Sequence, residues 1–243
     1  DLVSAQRMAA WGDIAQRIAH EIKNPLTPIK LSAERIKRKF SSKAGIDSDQ
    51  LDGMVDVIVR QTDELRKIVD EFSQFARMPE PDRKSVELND LVKSSVLLQE
   101  TGQPNVTFKL EIPSEKIWVL ADPAMIGRAI TNLLKNAGEA IEDSENKVSI
   151  KSGEIRISLY AHDKTVILEI SDNGRGLPQD RSRLLEPYVS NRPSGTGLGL
   201  SIVSKTIEEH GGMFSITDAE PFSLGAQNGA KAIIKLPRQN LVA

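Results

Sequence analysis

The sequence predicts an α+β chain in two parts, an antiparallel helical hairpin followed by a mixed layer of helices and strands. Three observations predict it. Apolar residues recur at alternating three- and four-residue spacings through the first eighty positions. Pro79-Glu80-Pro81 then interrupts the pattern, and beyond it short strand-like runs alternate with helical ones.

In the first part the seam runs through Met8, Trp11, Ala15, Ile18, Ile22, Ile29 and Ile36. It resumes at Leu51, Val55, Ile58, Thr62, Leu65, Val69, Phe72 and Ala76. Such spacing lays one apolar stripe along each helix, and the polar stretch Ser41 to Gln50 is long enough to reverse the chain between them. Two helices alone cannot cover both stripes. A second copy completing a four-helix bundle is therefore expected, the alternative being that the hairpin packs on the rest of its own chain. Pro79-Glu80-Pro81 ends the second helix as a stiff, extended link.

Beyond the link, helices are expected at Leu88 to Glu100, Ala124 to Glu142 and Leu200 to Glu209. Strands are expected at Val106 to Glu111, Ile117 to Leu120, Glu154 to Tyr160, Val166 to Ser171, Met213 to Thr217 and Ala230 to Leu236. This order suggests a sheet covered by helices on one face. The Gly-, Pro-, Ser- and Arg-rich stretch from Gly174 to Gly199 reads as a mobile loop.

Composition narrows the function. With 39% hydrophobic and 27% charged residues the chain is not a disordered one, and its formal charge of -2 provides no field to attract nucleic acid. The absence of cysteine excludes disulfides, thiolate metal sites and a Cys nucleophile. No apolar run approaches the roughly 18 residues of a membrane helix, so no membrane contact is expected from this stretch. A start at Asp1, directly in helical sequence, is expected of a segment from a longer protein.

One cluster in each part carries chemistry. The first helix contains His20-Glu21-Ile22-Lys23-Asn24-Pro25-Leu26. With Ala15, Ile18 and Ile22 in the seam, His20 faces solvent, where an imidazole is available as a nucleophile. Glu21 could orient the ring and take its proton, and Asn24 follows one turn later on the same face. Pro25 removes a helical donor and Pro28 extends the disturbance, so a bend is expected beside the reactive face. Taken alone, His20 reads more readily as a surface histidine, because short motifs match by chance.

In the second part, Asn132 and Asn136 stand four apart on a helix, so both amides leave one face. Their oxygens suit a Mg²⁺ shell otherwise made of phosphate and water, although two solvent-facing amides would look the same. Asp172-Asn173-Gly174-Arg175-Gly176 follows an apolar strand. There a carboxylate could accept the adenine amine beside glycines that admit a flat base, or the run could be an ordinary turn. Gly195-Thr196-Gly197-Leu198-Gly199 precedes a helix and can present amide donors to phosphate at its start. It is neither a Walker loop nor a dinucleotide fingerprint. His162 reads as a surface residue and His210 as a helix-end residue where a cation suits the dipole.

In this order the motifs resemble those of the two-component sensor histidine kinases over nearly the whole chain. His20 to Leu26 is similar to the phosphoacceptor box, Asn132 to Ala137 to the N box, Asp172 to Gly176 to the G1 box and Gly195 to Gly199 to the G2 box. The first helix, from Arg7 through Trp11-Gly12 to Thr27-Pro28-Ile29-Lys30-Leu31, most resembles the nitrogen-responsive, NtrY-like branch. The resemblance implies a dimerisation and histidine-phosphotransfer hairpin over 1–78 and a linker over 79–84. A Bergerat-type α/β-sandwich ATP-binding domain would follow over 85–243.

It further implies ATP with Mg²⁺, autophosphorylation of His20 and transfer to an aspartate of a response regulator. Asn24 suggests a phosphatase activity toward the same regulator. Asn136 would be the main Mg²⁺ ligand with Asn132 in support, and Asp172 with Gly174 and Gly176 would read adenine. Gly195, Thr196, Gly197, Leu198 and Gly199 would hold phosphate, and 177–194 would form a lid. The expected setting is a cytoplasmic portion of a membrane-anchored parent.

Two departures from the family pattern touch the lid. Leu185 stands where Phe is usual, and Arg192 in Ser190-Asn191-Arg192 stands in place of a lysine near the phosphates. Asn132 occupies the position where related ATPases such as gyrase carry a water-activating glutamate, so phosphate transfer is favoured over hydrolysis. The rival readings are a Bergerat-fold ATPase, for which Glu139 is the nearest acid, and a nucleotide-binding scaffold acting chiefly as phosphatase.

Overall fold

The computed structural model describes residues 22–39, 48–76, 80–145, 153–187, 197–223 and 228–239. Contacts divide the chain into two compact units, Asp1–Met78 and Pro79–Ala243.

The first unit contains helix α1 (22–39) and helix α2 (Ser48–Ala76). Along α1 the buried or half-buried positions are Ile22, Pro25, Pro28, Ile29, Ser32, Ile36 and Lys39. Ile22, Pro25, Ile29, Ser32 and Ile36 keep the three-four alternation. Pro25 lies in this seam, and α1 continues without a break through both prolines. The Thr27 hydroxyl donates to the Lys23 carbonyl over 3.1 Å. On α2 the expected seam divides. Leu51, Ile58 and Leu65 are half-buried, whereas Val55 and Val69, with Val59 one turn beyond Val55, are exposed at 42%, 44% and 55%. The expected reversing loop is shorter than its sequence range, because α2 already begins at Ser48. The Lys39 ammonium donates to the Gln50 side chain.

The second unit opens with strand β1 (Lys84–Glu87), helix α3 (Leu88–Gly102), β2 (Val106–Glu111), β3 (Trp118–Ala121) and α4 (Pro123–Glu145). It continues with β4 (Gly153–His162), β5 (Thr165–Asp172), α5 (Gly199–Glu209), β6 (Met213–Asp218) and β7 (Ala230–Pro237). Five strands form one sheet in the order β2-β4-β5-β7-β6, parallel only between β2 and β4.

Strict alternation gives the sheet one apolar face. Ile157, Leu159 and Ala161 of β4 stand level with Ile170, Leu168 and Val166 of β5, and these with Ala232, Ile234 and Leu236 of β7, while Ile155 lies opposite Asp172 in the same core. Helices α3, α4 and α5 cover that face through Val92, Val96, Ile126, Ile130, Leu134, Ile141, Val203 and Ile207. The other face carries an ion-pair ladder. Glu154 lies 2.8 Å from Lys109 and 2.6 Å from Arg156, whose guanidinium stacks 3.8 Å over the Phe222 ring.

Two features depart from the expectation. β1 has no counterpart among the strands read from the sequence, and Lys84, the last residue of the expected linker, is its first residue. β1 and β3 form a separate antiparallel ribbon outside the five-stranded sheet. Asn89 ties the ribbon to α3. Its amide nitrogen donates to the Pro113 and Glu115 carbonyls, both at 3.0 Å, and its oxygen accepts the Ile117 N–H at 2.9 Å. A buried amide with three such bonds holds the 113–117 segment in place.

Candidate nucleotide site

Helix α4 is started by its own sequence. Asp122 caps it, its Oδ1 accepting the N–H groups of Ala124 at 2.9 Å and Met125 at 3.1 Å, with Pro123 at the first helical position. Its Oδ2 accepts the Asp82 N–H at 3.1 Å. Burial pushes the Asp122 carboxyl up, but these three backbone donors outweigh it and hold the group below the ordinary aspartate range. Along α4, Ile126, Ile130, Leu133, Leu134, Ala137 and Ile141 enter the core. Asn132 and Asn136 are left half-buried one turn apart.

Asp172 closes β5 and is only 4% exposed. Its Oδ1 accepts the Gly174 N–H at 2.9 Å and the Ala230 N–H at 3.3 Å. These bonds orient the carboxylate, which has acceptor sites on both oxygens. Asn173 fastens the same turn to β4, accepting the Glu154 N–H at 2.8 Å and donating its own N–H to the Glu154 carbonyl at 3.3 Å.

Next, Gly174 lies flat against α4, where an added Cβ would fall 2.6–2.8 Å from the backbone of Ala140 and Ile141. The Arg175 N–H donates to the Ala140 carbonyl at 3.1 Å, and its guanidinium lies 3.2 Å from Asp143. Gly176 adopts φ +75°. On the other side Gly229 approaches so closely that a Cβ would sit 1.7 Å from the Asp172 carbonyl oxygen. Only glycine fits there, and the sequence reading missed it, because the partner is 57 residues away along the chain.

Gly197 takes φ +68° and the buried Leu198 leads into α5 at Gly199. Leu198 stands at the N-cap of α5, where its own side chain makes no capping bond. A Cβ on Gly199 would stand 3.7 Å from the Asn136 amide nitrogen, so the start of α5 meets Asn136. Thus Asn136 and Gly199 are neighbours, and the Gly174–Arg175 turn that follows Asp172 is strapped to α4 one turn beyond Asn136.

Asn24 is exposed on α1. His20, Glu21, Arg192, Gly195 and Thr196 lie outside the described residues. The part of the expected loop from 174 to 187 is built from turns. Arg181 pairs with Asp218 at 2.8 Å, Ser182 bonds Asp180 through its N–H and hydroxyl, and Leu185 packs against the core. Glu139 makes an i,i+4 contact with Lys135 at 3.9 Å.

His162 is exposed beside Asp163, as expected of a surface residue. His210 differs from expectation. It is 4% exposed, with Nδ1 2.6 Å from the Thr206 carbonyl and Nε2 accepting the Asp122 N–H at 2.9 Å. A carbonyl only accepts and an amide N–H only donates, so the ring is the neutral Nδ1–H tautomer and not a dipole-facing cation.

Two family models match the chain. The "His Kinase A (phospho-acceptor) domain" covers residues 10–81, and the "Histidine kinase-, DNA gyrase B-, and HSP90-like ATPase" covers 121–240. The chain belongs to the sensor histidine kinases. Within them it is 49% identical over 220 residues to the nitrogen regulation protein NtrY of Azorhizobium caulinodans, covering 90% of this chain and 28% of that protein. A putative NtrY-like sensor histidine kinase of Rickettsia felis is 38% identical, covering 90% of this chain and 36% of its own length. The chain therefore spans about a third of these relatives.

Among solved structures, the histidine kinase ThkA in complex with the response regulator protein TrrA superposes with a TM-score of 0.72 at 26% identity. That match covers 97% of this chain and 64% of the other. The mycobacterial sensor kinase MprB matches with a TM-score of 0.55 at 26% identity over 65% of this chain and 99% of its own. Among the described residues, no helix is long and apolar enough to cross a membrane.

Proposed function

We propose that the chain is the kinase core of an NtrY-like sensor, binding ATP with Mg²⁺ in the second unit, phosphorylating His20 in the first, and passing the phosphoryl group to an aspartate of a response regulator. The observation that carries this reading is the convergence of three separate stretches. The Asn132–Asn136 face of α4, the turn after Asp172 that packs on α4 at Ala140, and the start of α5 all meet within about a turn of Asn136. The domain reading is retained, with 1–78 for dimerisation and phosphotransfer, 79–84 as the linker, and 85–243 for nucleotide binding.

The residues suit the ligands. The Asp172 carboxylate, held by two backbone donors, is an acceptor for the adenine amine, and Gly174 and Gly176 leave no side chain over the base. The first N–H groups of α5, with Gly195, Thr196, Gly197, Leu198 and Gly199 before and at its start, present donors and a favourable dipole to phosphate. Asn136, supported by Asn132, offers an amide oxygen to the cation, and Arg192 supplies positive charge from the lid. When bound, Mg²⁺ neutralises phosphate charge. Neutral His20 attacks the γ-phosphoryl group in line, a new N–P bond forming as the bond to the ADP oxygen breaks, while Glu21 accepts the ring proton. Asn132 is an amide and cannot activate water as a base, which favours transfer over hydrolysis.

The exposed Val55, Val59 and Val69 support a homodimer through the hairpin. Exposed Asn24, four residues after His20 in the sequence, supports water positioning for a response-regulator phosphatase activity. The parent protein is proposed to be membrane-anchored, with this portion in the cytoplasm.

Incubation with γ-labelled ATP and Mg²⁺ tests the reading. It expects an acid-labile, base-stable label in the parent chain and none in His20→Ala. Label persisting in the variant overturns it.

A further inference from the structure

The nucleotide-facing parts of α4 and α5 are joined at their opposite ends by one buried imidazole. The helices run antiparallel, Asn136 of α4 meeting Gly199 at the start of α5, and Asp122 at the start of α4 meeting His210 at the end of α5. His210 bonds in both directions, through Nδ1–H to the Thr206 carbonyl of its own helix and through Nε2 to the Asp122 N–H of the other. The entry of the chain into the second unit is fastened to the same joint. The Asp82 N–H donates to Asp122 Oδ2, Asp82 pairs with Lys84 at 2.9 Å, and the Arg83 guanidinium donates to the Glu209 carbonyl beside His210.

Between these ends both helices enter the apolar core, through side chains such as Ile126 and Ile130 of α4 and Val203 and Ile207 of α5. Apolar packing is non-directional and tolerates small sliding. A hydrogen bond between fixed groups does not. From Gly199 to His210 the helix spans about 16 Å. A tilt of a few degrees at His210 thus displaces the phosphate-facing end by about 1 Å, enough to cost a large factor where ligand groups must align.

We propose that His210 is a positioning residue for the nucleotide site, holding α5 in register with α4 so that the Gly197–Gly199 backbone stays aligned with Asn136. The inference rests on the nucleotide-binding reading above. It separates two halves of the imidazole. The Nε2 acceptor sets the register between helices, while the Nδ1 donor only closes the end of α5.

Two amide substitutions divide these halves. His210→Gln places an acceptor oxygen near the Nε2 position and keeps the bond to Asp122. His210→Asn keeps a donor near the Nδ1 position for Thr206 but falls short of Asp122. In the full chain, Mg-ATP affinity is measured by calorimetry. The backbone amide resonances of Gly197 and Gly199 are recorded without nucleotide, and the urea midpoint reports folding.

The expectation is that His210→Asn weakens Mg-ATP binding about tenfold, the effect of stranding one buried N–H, and shifts both glycine resonances. His210→Gln stays within about twofold with unshifted glycines. Resonances read only from folded molecules keep the test valid where a variant lowers the urea midpoint. Glycine resonances and affinity unchanged in His210→Asn, or moved equally in both variants, overturn the proposal. A parent chain that binds no Mg-ATP overturns the nucleotide reading, and the positioning role with it.

Discussion

Helices α2 and α4 are both long and both striped, yet they end in opposite states. On α4 the stripe of Ile126, Ile130, Leu134 and Ile141 is almost wholly removed from water by the sheet and by α3 and α5. On α2, Val55, Val59 and Val69 stay exposed. A helix on a sheet is covered within its own unit, whereas a helix in a two-helix hairpin has a second face that the hairpin alone cannot cover. The difference assigns the units their work. On the proposed reading, the second unit builds a fixed site, and the first presents its residues on a surface that a partner copy completes.

The sharpest way to break this comparison is to disable each unit separately. His20→Ala is expected to abolish phosphohistidine while leaving Mg-ATP affinity unchanged. Asp172→Asn, which keeps shape but removes charge, is expected to weaken Mg-ATP binding about 10- to 100-fold. Calorimetry and acid-quench assays on the same preparations check both. If Asp172→Asn binds normally, adenine recognition lies elsewhere.

The two stripes should respond differently to damage. Leu134→Ala opens a cavity in a closed core and is expected to cost about 3 kcal/mol in urea unfolding. Val59→Asp should leave the second unit's transition in place and instead raise the dimer dissociation constant by about 100-fold, from desolvation and lost apolar area in both copies. Sedimentation velocity over a concentration series reads the second effect. A smaller change follows at the α4 cap, where Asp122→Ala is expected to cost about 1 kcal/mol of stability in urea.

Acid provides the mildest test. Glu154 feels desolvation that pushes its carboxyl up, but hydrogen bonds from Lys109 and Arg156 outweigh it and leave the group below its ordinary range. Asp122 is lowered as well. Each therefore adds stability that is fully present above its unfolded value and is lost as pH falls through the folded one. The urea midpoint of the second unit should decline as pH drops from about 5 to about 3, and the decline should shrink in Asp122→Asn/Glu154→Gln. A decline of equal size in the double variant would remove these two carboxylates from the explanation.

Much of the site was legible in single stretches. Asn132 and Asn136 share one side because a helix repeats every 3.6 residues. Asp172 falls at a strand end because alternation stops there, and Gly197 to Gly199 precede α5 because the periodic pattern restarts at that point. Other features left no local mark. Strand β1 is four residues long with half of them exposed, so its sequence lacks an apolar alternation to read. Gly229 is diagnostic only beside Asp172, and Asn89 only beside the 113–117 segment. His210, read as a helix-end cation, is a neutral bridge because Asp122 arrives from 88 residues away.

By itself the sequence determined the change from a heptad-like stripe to strand alternation, and hence the two-part chain. It also determined which chemical groups are available to hold nucleotide. Those properties depend on neighbours within about two helical turns, and the chain's own periodicity sets them. The tertiary structure decided which distant segments close on one another. It paired β2 with β4 in parallel, pressed Gly174 onto α4, seated Gly229 against Asp172 and joined α4 to α5 through His210. Such contacts arise only when a whole core is packed at once, because close packing and buried hydrogen bonds depend on atoms that no local stretch of sequence contains.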